Sequence, residues 1–150
     1  YLYAASLEAA SAGTPIMRPM PLEFPDDPAA SYLDRQYMLG ADILVAPVFS
    51  EAGDVEFYLP AGTWTNLLTG EEVDGGAWRR ERHGFTSLPI YVRPGAVIPW
   101  GARSDRPDYD YLDGLRLRVF AGGTGTAELT VTNPDGRSET FTVDRSEITR

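Results

Sequence analysis

Ala41-Asp-Ile-Leu-Val-Ala-Pro-Val48 is followed by Val55-Glu-Phe-Tyr-Leu-Pro-Ala-Gly-Thr-Trp-Thr65 and then by Thr69-Gly70. Ile43–Val48 is a continuous apolar run, the pattern of a strand buried on both faces. Val55–Leu59 reads as a second strand. Ala61-Gly62 turns the chain into Thr63–Leu68, which carries Trp64, and Thr69-Gly70 turns it again.

The same texture continues to the end of the chain. Val73–Trp78 and Arg79–His83 are shorter, polar β segments. Ser87–Val92 and Ala96–Pro99 flank the turn Arg93-Pro-Gly95. Leu115–Phe120 alternates, with Leu115, Leu117 and Val119 on one face and Arg116 and Arg118 on the other. Ala127–Thr132 and Ser138–Val143 flank Asn133-Pro-Asp-Gly136, a strong hairpin turn.

Upstream of Ala41 the pattern is helical. Residues 1–12 are rich in Ala and Leu and predict a helix, with Gly13 as its C-cap and Pro15 just beyond. No capping residue precedes it, as expected of a helix cut in mid-pattern. The proline-rich apolar segment from Pro15 to Phe24 predicts an extended or edge conformation, since proline removes ladder donors. A second helix is predicted with Asp26 or Asp27 as N-cap, Pro28 in the first turn and Gly40 as C-cap. Tyr32, Leu33, Gln36, Tyr37 and Leu39 supply its spacing. The fold class is therefore mainly β, an antiparallel β-sandwich preceded by two helices. Gly122-Gly123 and Gly125 form a joint before the last hairpin. Two strands alone are marginal in water, so that hairpin is either an edge ribbon on the first sandwich or the opening of a second.

Composition narrows the partners. The chain has 150 residues, 43% of them hydrophobic, enough for one core of ordinary size. The net charge is −9. Such a surface repels phosphate backbones and anionic lipid, so no nucleic acid or membrane partner is expected, whereas neutral sugars need no basic patch. There is no cysteine, which excludes disulfides, thiolate catalysis and zinc–thiolate sites. No apolar run reaches the ~20 residues of a membrane span, and no signal peptide opens the chain. A cytoplasmic location is expected.

No catalytic, substrate-binding or metal site is expected within the chain. Hydrolysis by paired carboxyl groups needs two of them held ~5–10 Å apart. Asp26-Asp27 sits where a helix cap belongs, Glu71-Glu72 follows a hairpin turn, and Asp105, Asp108, Asp110 and Asp113 punctuate a loop. His83 is the only histidine. A Ser–His–Asp arrangement would need a nucleophile elbow, and no Gly-x-Ser-x-Gly occurs. A hydrogen-bonding role at a strand end is expected instead. No Asp-rich calcium loop is present. Gly122-Gly123-Thr-Gly125 lacks the lysine of a phosphate loop. Trp64 and Trp100 are expected in the core or at a domain interface. Trp78 is the most plausible exposed platform for a sugar ring, although the structural role leads there too.

Pro19-Met-Pro-Leu-Glu-Phe-Pro-Asp-Asp-Pro28, Asp34-Arg-Gln-Tyr-Met-Leu-Gly40, Leu44-Val-Ala-Pro-Val48 and Tyr58-Leu-Pro-Ala-Gly-Thr-Trp64 together resemble glycoside hydrolase family 31, where the catalytic barrel passes into its first C-terminal β-sandwich. Trp64-Thr-Asn-Leu-Leu-Thr-Gly-Glu71, Gly75-Gly-Ala-Trp78, His83-Gly-Phe85, Ser87-Leu-Pro-Ile-Tyr-Val-Arg93 and Arg106-Pro-Asp-Tyr109 resemble its bacterial α-xylosidase branch. The resemblance implies three parts. Residues 1–40 would be the end of a (β/α)8 barrel and 41–121 the proximal sandwich. Residues 122–150 would be the start of a distal sandwich or an edge hairpin.

The resemblance further implies a retaining α-glycosidase that acts without a cofactor. Its Asp nucleophile lies in a Trp-x-Asp-Met-Asn-Glu type motif, with a second Asp as acid/base. Neither region occurs in these 150 residues, so the chain by itself is expected to be non-catalytic. Its partners would be its own barrel, xyloglucan-type oligosaccharides such as isoprimeverose through the whole enzyme, and further copies in a homo-oligomer. The alternatives are a family 31 α-glucosidase region or an independent carbohydrate-binding β-sandwich. The uncapped helix and the proline-rich connector disfavour the last.

Overall fold

The computed structural model describes residues 1–147. Ala and Leu favour helix, and α1 runs over Leu2–Ala12. Gly13 ends it at φ 75°, a left-handed position that glycine occupies without steric cost, and its N–H reaches the Ala9 carbonyl at 3.1 Å. The proline-rich connector becomes a short edge strand, β1 (Met17–Pro19), as its missing donors require, and then one turn of helix, α2 (Met20–Glu23).

The helix predicted from Asp26 or Asp27 to Gly40 is shorter than expected. Asp27 does cap it, accepting from the Ala29 N–H at 3.0 Å, but it is a 3-10 helix over Pro28–Tyr32. Tyr37–Leu39 is a strand, β2, paired with β1 on one side and with β3 (Ile43–Val45) on the other. Two neighbouring strands offer these residues ladder bonds along both edges. Gln36 adds a tertiary clamp: its amide accepts from the Tyr58 N–H at 2.8 Å and donates to the Tyr58 carbonyl at 2.7 Å. Gly40 is the β2–β3 hairpin turn, at φ 62°, and a Cβ there would collide with the Tyr1 ring.

The remaining strands follow the predicted order: β4 (Asp54–Leu59), β5 (Thr63–Asn66), β6 (Glu72–Asp74), β7 (Ala77–Arg82), β8 (Ile90–Val92), β9 (Val97–Trp100), β10 (Arg116–Val119), β11 (Thr126–Thr132) and β12 (Ser138–Asp144). A six-stranded antiparallel sheet has the order β1-β2-β3-β8-β5-β6. Three two-stranded ribbons, β4–β7, β9–β10 and β11–β12, complete the β structure of the described residues.

The central strand β3 explains the layering. Leu44 points into one core with Met20, Met38, Phe57, Leu59 and Trp64. Ile43 and Val45 point into another with Val92, Ile98 and Phe120. The strand is therefore covered on both sides, by β4 on one and by Ile98 of β9 and Phe120 on the other. An apolar connector at the end of a barrel should seek partners outside the chain, yet Met20 is fully buried, because α2 folds back over Trp64 and Met38. Leu2, Met17 and Leu22 are exposed. Hydrogen bonding between β2 and β3 runs across the division expected at residues 40 and 41.

Among the described residues, β11 and β12 pair only with each other in the sheet order. Their turn is nonetheless anchored: the buried Asn133 side chain accepts from the Tyr111 N–H at 2.7 Å and donates to Asp110 at 2.6 Å. Within 122–150, residues 148–150 lie outside the described part.

Candidate functional site

The carboxylates singled out in the sequence occupy structural positions. Asp27 caps the 3-10 helix, and its neighbour Asp26 is exposed. Glu71 and Glu72 are exposed, the latter on β6. Asp105 and Asp108 make two-pronged pairs with Arg103 and Arg106, at 2.7–3.0 Å and 2.7–2.8 Å. Asp113 is exposed in the same loop. The Asn133 amide, together with Arg137, lowers the Asp110 carboxyl to about 2.

The most buried charge cluster lies elsewhere, where the connector meets the sandwich. Arg18 on β1 is only 4% exposed. It donates to Glu23 at 2.7 Å, to Glu8 of α1 at 2.6 Å and to the Pro15 carbonyl at 3.0 Å. The second oxygen of Glu23 accepts from Arg93 at 2.9 Å, and Arg93 also reaches the Ala41 carbonyl at 3.1 Å. One carboxylate thus bridges two guanidinium groups from distant segments. These partners are 5, 10 and 70 positions apart, so no spacing rule reveals them. The one usable signal is a charged residue, Arg18, inside the apolar run Ile16–Met20.

Asp42 stands beside this cluster. Burial raises its carboxyl above the ordinary carboxylate range, with Glu23 acting in the same direction and Arg93 and Arg18 opposing it. The Tyr1 hydroxyl donates to the Leu39 carbonyl at 2.8 Å and accepts from the Asp42 N–H at 3.0 Å. A carboxyl whose folded pKa is raised adds nothing from ionisation while both states are protonated, and it opposes folding as pH rises above the unfolded value and the unfolded state ionises first. Asp42→Asn is therefore expected to stabilise the chain at neutral pH. The gain shrinks as pH falls through the raised folded value and is gone below the unfolded value near 4. Urea midpoints at pH 7 and pH 3 measure the difference. An equal effect at both would show that ionisation is not the cause.

His83 follows the end of β7, as expected. One ring nitrogen lies 2.8 Å from Glu81 and the other 3.0 Å from the Ser87 hydroxyl, while the Tyr91 hydroxyl donates to the other oxygen of Glu81. With Glu81 accepting from Nε2–H, Nδ1 accepts from Ser87. The sequence reading misses the line Glu81–His83–Ser87, although the i, i+2 spacing of Glu81 and His83 puts both on one side of an extended chain. It ties the loop before β8 to β7. Glu81 is shared with Tyr91 of β8, whose ring is buried in the larger core.

Of the three tryptophans, Trp64 is fully buried and donates its indole N–H to the Pro60 carbonyl at 2.7 Å. Trp100 is partly exposed, with the Arg118 guanidinium 4.8 Å above its ring. Trp78 is 56% exposed and packs against Tyr58, its partner across β4–β7, at 5.8 Å between ring centres. It borders a groove of about 310 Å³ that Tyr32 and Phe49 also line.

The profile of the glycosyl hydrolase family 31 C-terminal domain matches residues 13–98, more than half of the chain. The α-xylosidase of Emericella nidulans is 41% identical over 143 residues, covering 90% of this chain and 18% of that protein. Alpha-glucosidase 2 of Bacillus thermoamyloliquefaciens is 28% identical over 154 residues, covering all of this chain and 19% of that protein. Among solved structures, the cycloalternan-forming enzyme of Listeria monocytogenes in complex with a pentasaccharide superposes with a TM-score of 0.81 at 30% identity. That match covers 96% of this chain and 14% of that one. The chain thus spans about a fifth of the length of the curated relatives it matches.

Proposed function

Because the chain belongs to glycosyl hydrolase family 31, we propose that it is the C-terminal supporting region of an α-xylosidase that removes terminal α-xylosyl residues from xyloglucan-type oligosaccharides. The observation that carries this reading is the higher identity to an α-xylosidase than to an α-glucosidase over most of the chain. The α-glucosidase match favours the second reading, a supporting region of that enzyme instead.

In the proposed parent, cleavage is a double displacement performed by two carboxyl groups beyond these residues. A retaining mechanism holds that pair ~5–5.5 Å apart, one as nucleophile and the other as acid then base. Within the chain, Asp27 serves as a cap and Asp105, Asp108 and Asp110 as arginine partners, while Asp26, Glu71, Glu72 and Asp113 are solvated surface. The supporting role is mechanical. In that parent, residues 1–40 would be the end of the catalytic barrel, 41–121 the proximal sandwich, and 122–150 an edge hairpin or the start of a distal sandwich. The Glu23 bridge between Arg18 and Arg93 locks the first of these parts to the second. The parent needs no cofactor and works as a cytoplasmic homo-oligomer.

The test compares the 150-residue chain with the full-length parent on p-nitrophenyl α-xyloside. The chain is expected to release no nitrophenol above a buffer blank, while the parent turns over. Release by the chain that disappears in Asp26→Asn or Asp27→Asn would overturn the supporting role.

A further inference from the structure

Beyond that supporting role, three large aromatic side chains are exposed together on one face of the described residues. Tyr32 is 82%, Phe49 74% and Trp78 56% exposed. They come from the 3-10 helix, the loop after β3 and strand β7, and they border one groove. Its floor is held in place. Gln36 is buried and clamps the segment before β2 to β4 through both of its amide atoms. Tyr58 supports Trp78 from the opposite strand.

The polar lining complements these rings. Asp34 and Arg35 lie in the groove and make no side-chain hydrogen bond or ion pair among the described residues. A carboxylate and a guanidinium with free hydrogen-bonding capacity beside exposed aromatic faces suit a ligand that has both C–H faces and hydroxyl edges. A pyranose ring has both: its axial C–H bonds lie on the electron-rich ring face, and its hydroxyls pair with the charged groups. A polyanion is disfavoured by the net charge of −9 and by Asp54 and Glu56 in the lining. We propose that the groove between Tyr32, Phe49 and Trp78 is a non-catalytic binding site for a neutral oligosaccharide, held by ring stacking and by Asp34 and Arg35.

The experiment titrates the 150-residue chain with xyloglucan heptasaccharide and follows the tryptophan indole N–H signals by NMR. The expected result is a saturable shift of the Trp78 signal, with Trp64 unmoved. Trp78→Ala and Tyr32→Ala are each expected to weaken binding ~10-fold or more, and Trp100→Ala to leave it unchanged. Both informative side chains are exposed, so the variants keep the wild-type circular dichroism. Tyr32→Ala alone decides the matter if Trp78→Ala does not fold. The absence of a saturable shift would overturn the proposal, as would an equal loss in Trp100→Ala. So would sedimentation showing self-association of the chain that Trp78→Ala abolishes without any sugar-dependent shift, since the groove would then be an interface between copies. None of these outcomes bears on the activity of the parent, which is measured separately.

Discussion

Replacing Trp64 by alanine is expected to lower the unfolding free energy by ~3–5 kcal/mol. The indole is fully buried at the centre of the larger core, with Phe24 6.1 Å from it and Met20, Leu59 and Val73 in the same cluster. Its N–H is bonded to the Pro60 carbonyl at 2.7 Å, so the truncation also leaves a buried acceptor without its partner. These neighbours come from α2 and the residue that ends it, β4 and β6, elements that cannot all collapse into one cavity. Trp64→Phe keeps most of the volume and loses the hydrogen bond, so a smaller cost is expected, ~1–2 kcal/mol. Urea unfolding of the three proteins measures both. Equal midpoints for wild type and Trp64→Ala would show that the indole does not hold this core together.

The full-length parent is expected to prefer α-xylosides over α-glucosides by a ratio of kcat/KM on the order of 100-fold. The two sugars differ by one hydroxymethyl group at C5. A pocket shaped to exclude that group discriminates by a steric clash worth ~1–3 kcal/mol, the range of other small-group discriminations. In the proposed parent the pocket would lie in the barrel, so the expectation rests on likeness to the α-xylosidase branch along Trp64–Glu71, His83-Gly-Phe85 and Arg106-Pro-Asp-Tyr109. The measurement pairs p-nitrophenyl α-xyloside with the α-glucoside. A ratio that favours the glucoside would move the chain to the α-glucosidase reading and leave the family and the fold intact.

The strand pattern was legible because its causes are local. Glycine turns at Gly62, Gly70 and Gly136 punctuate the β region, and each has the positive φ that only glycine adopts freely. Apolar continuity in Ile43–Val48 named the strand covered on both faces, although the strand itself ends at Val45. Alternation in Leu115–Phe120 named β10, although Val119 and the adjacent Phe120 are both buried and Leu115 and Leu117 only partly so. The first helix ended where Gly13 and Pro15 required. The family itself was legible in motifs that sit at these turns and strands.

The segment Tyr32–Gly40 shows where local reasoning stops. Its helical spacing is genuine, and short apolar runs fit either period. The choice between helix and strand fell to β1 and β3, which pair with it from both sides, and to Gln36 bonding Tyr58. The same holds for Met20, whose burial depends on a core built mostly from later residues. It holds for the Arg18–Glu23–Arg93 bridge and the Glu81–His83–Ser87 line, and for the meeting of Tyr32, Phe49 and Trp78 around one groove. Local propensity, turn chemistry and hydrophobic period act over a few residues, so the sequence by itself determined the fold class, the turns and the family. Ladder pairing, buried charge and surface grooves join residues tens of positions apart, and only the tertiary structure decided those.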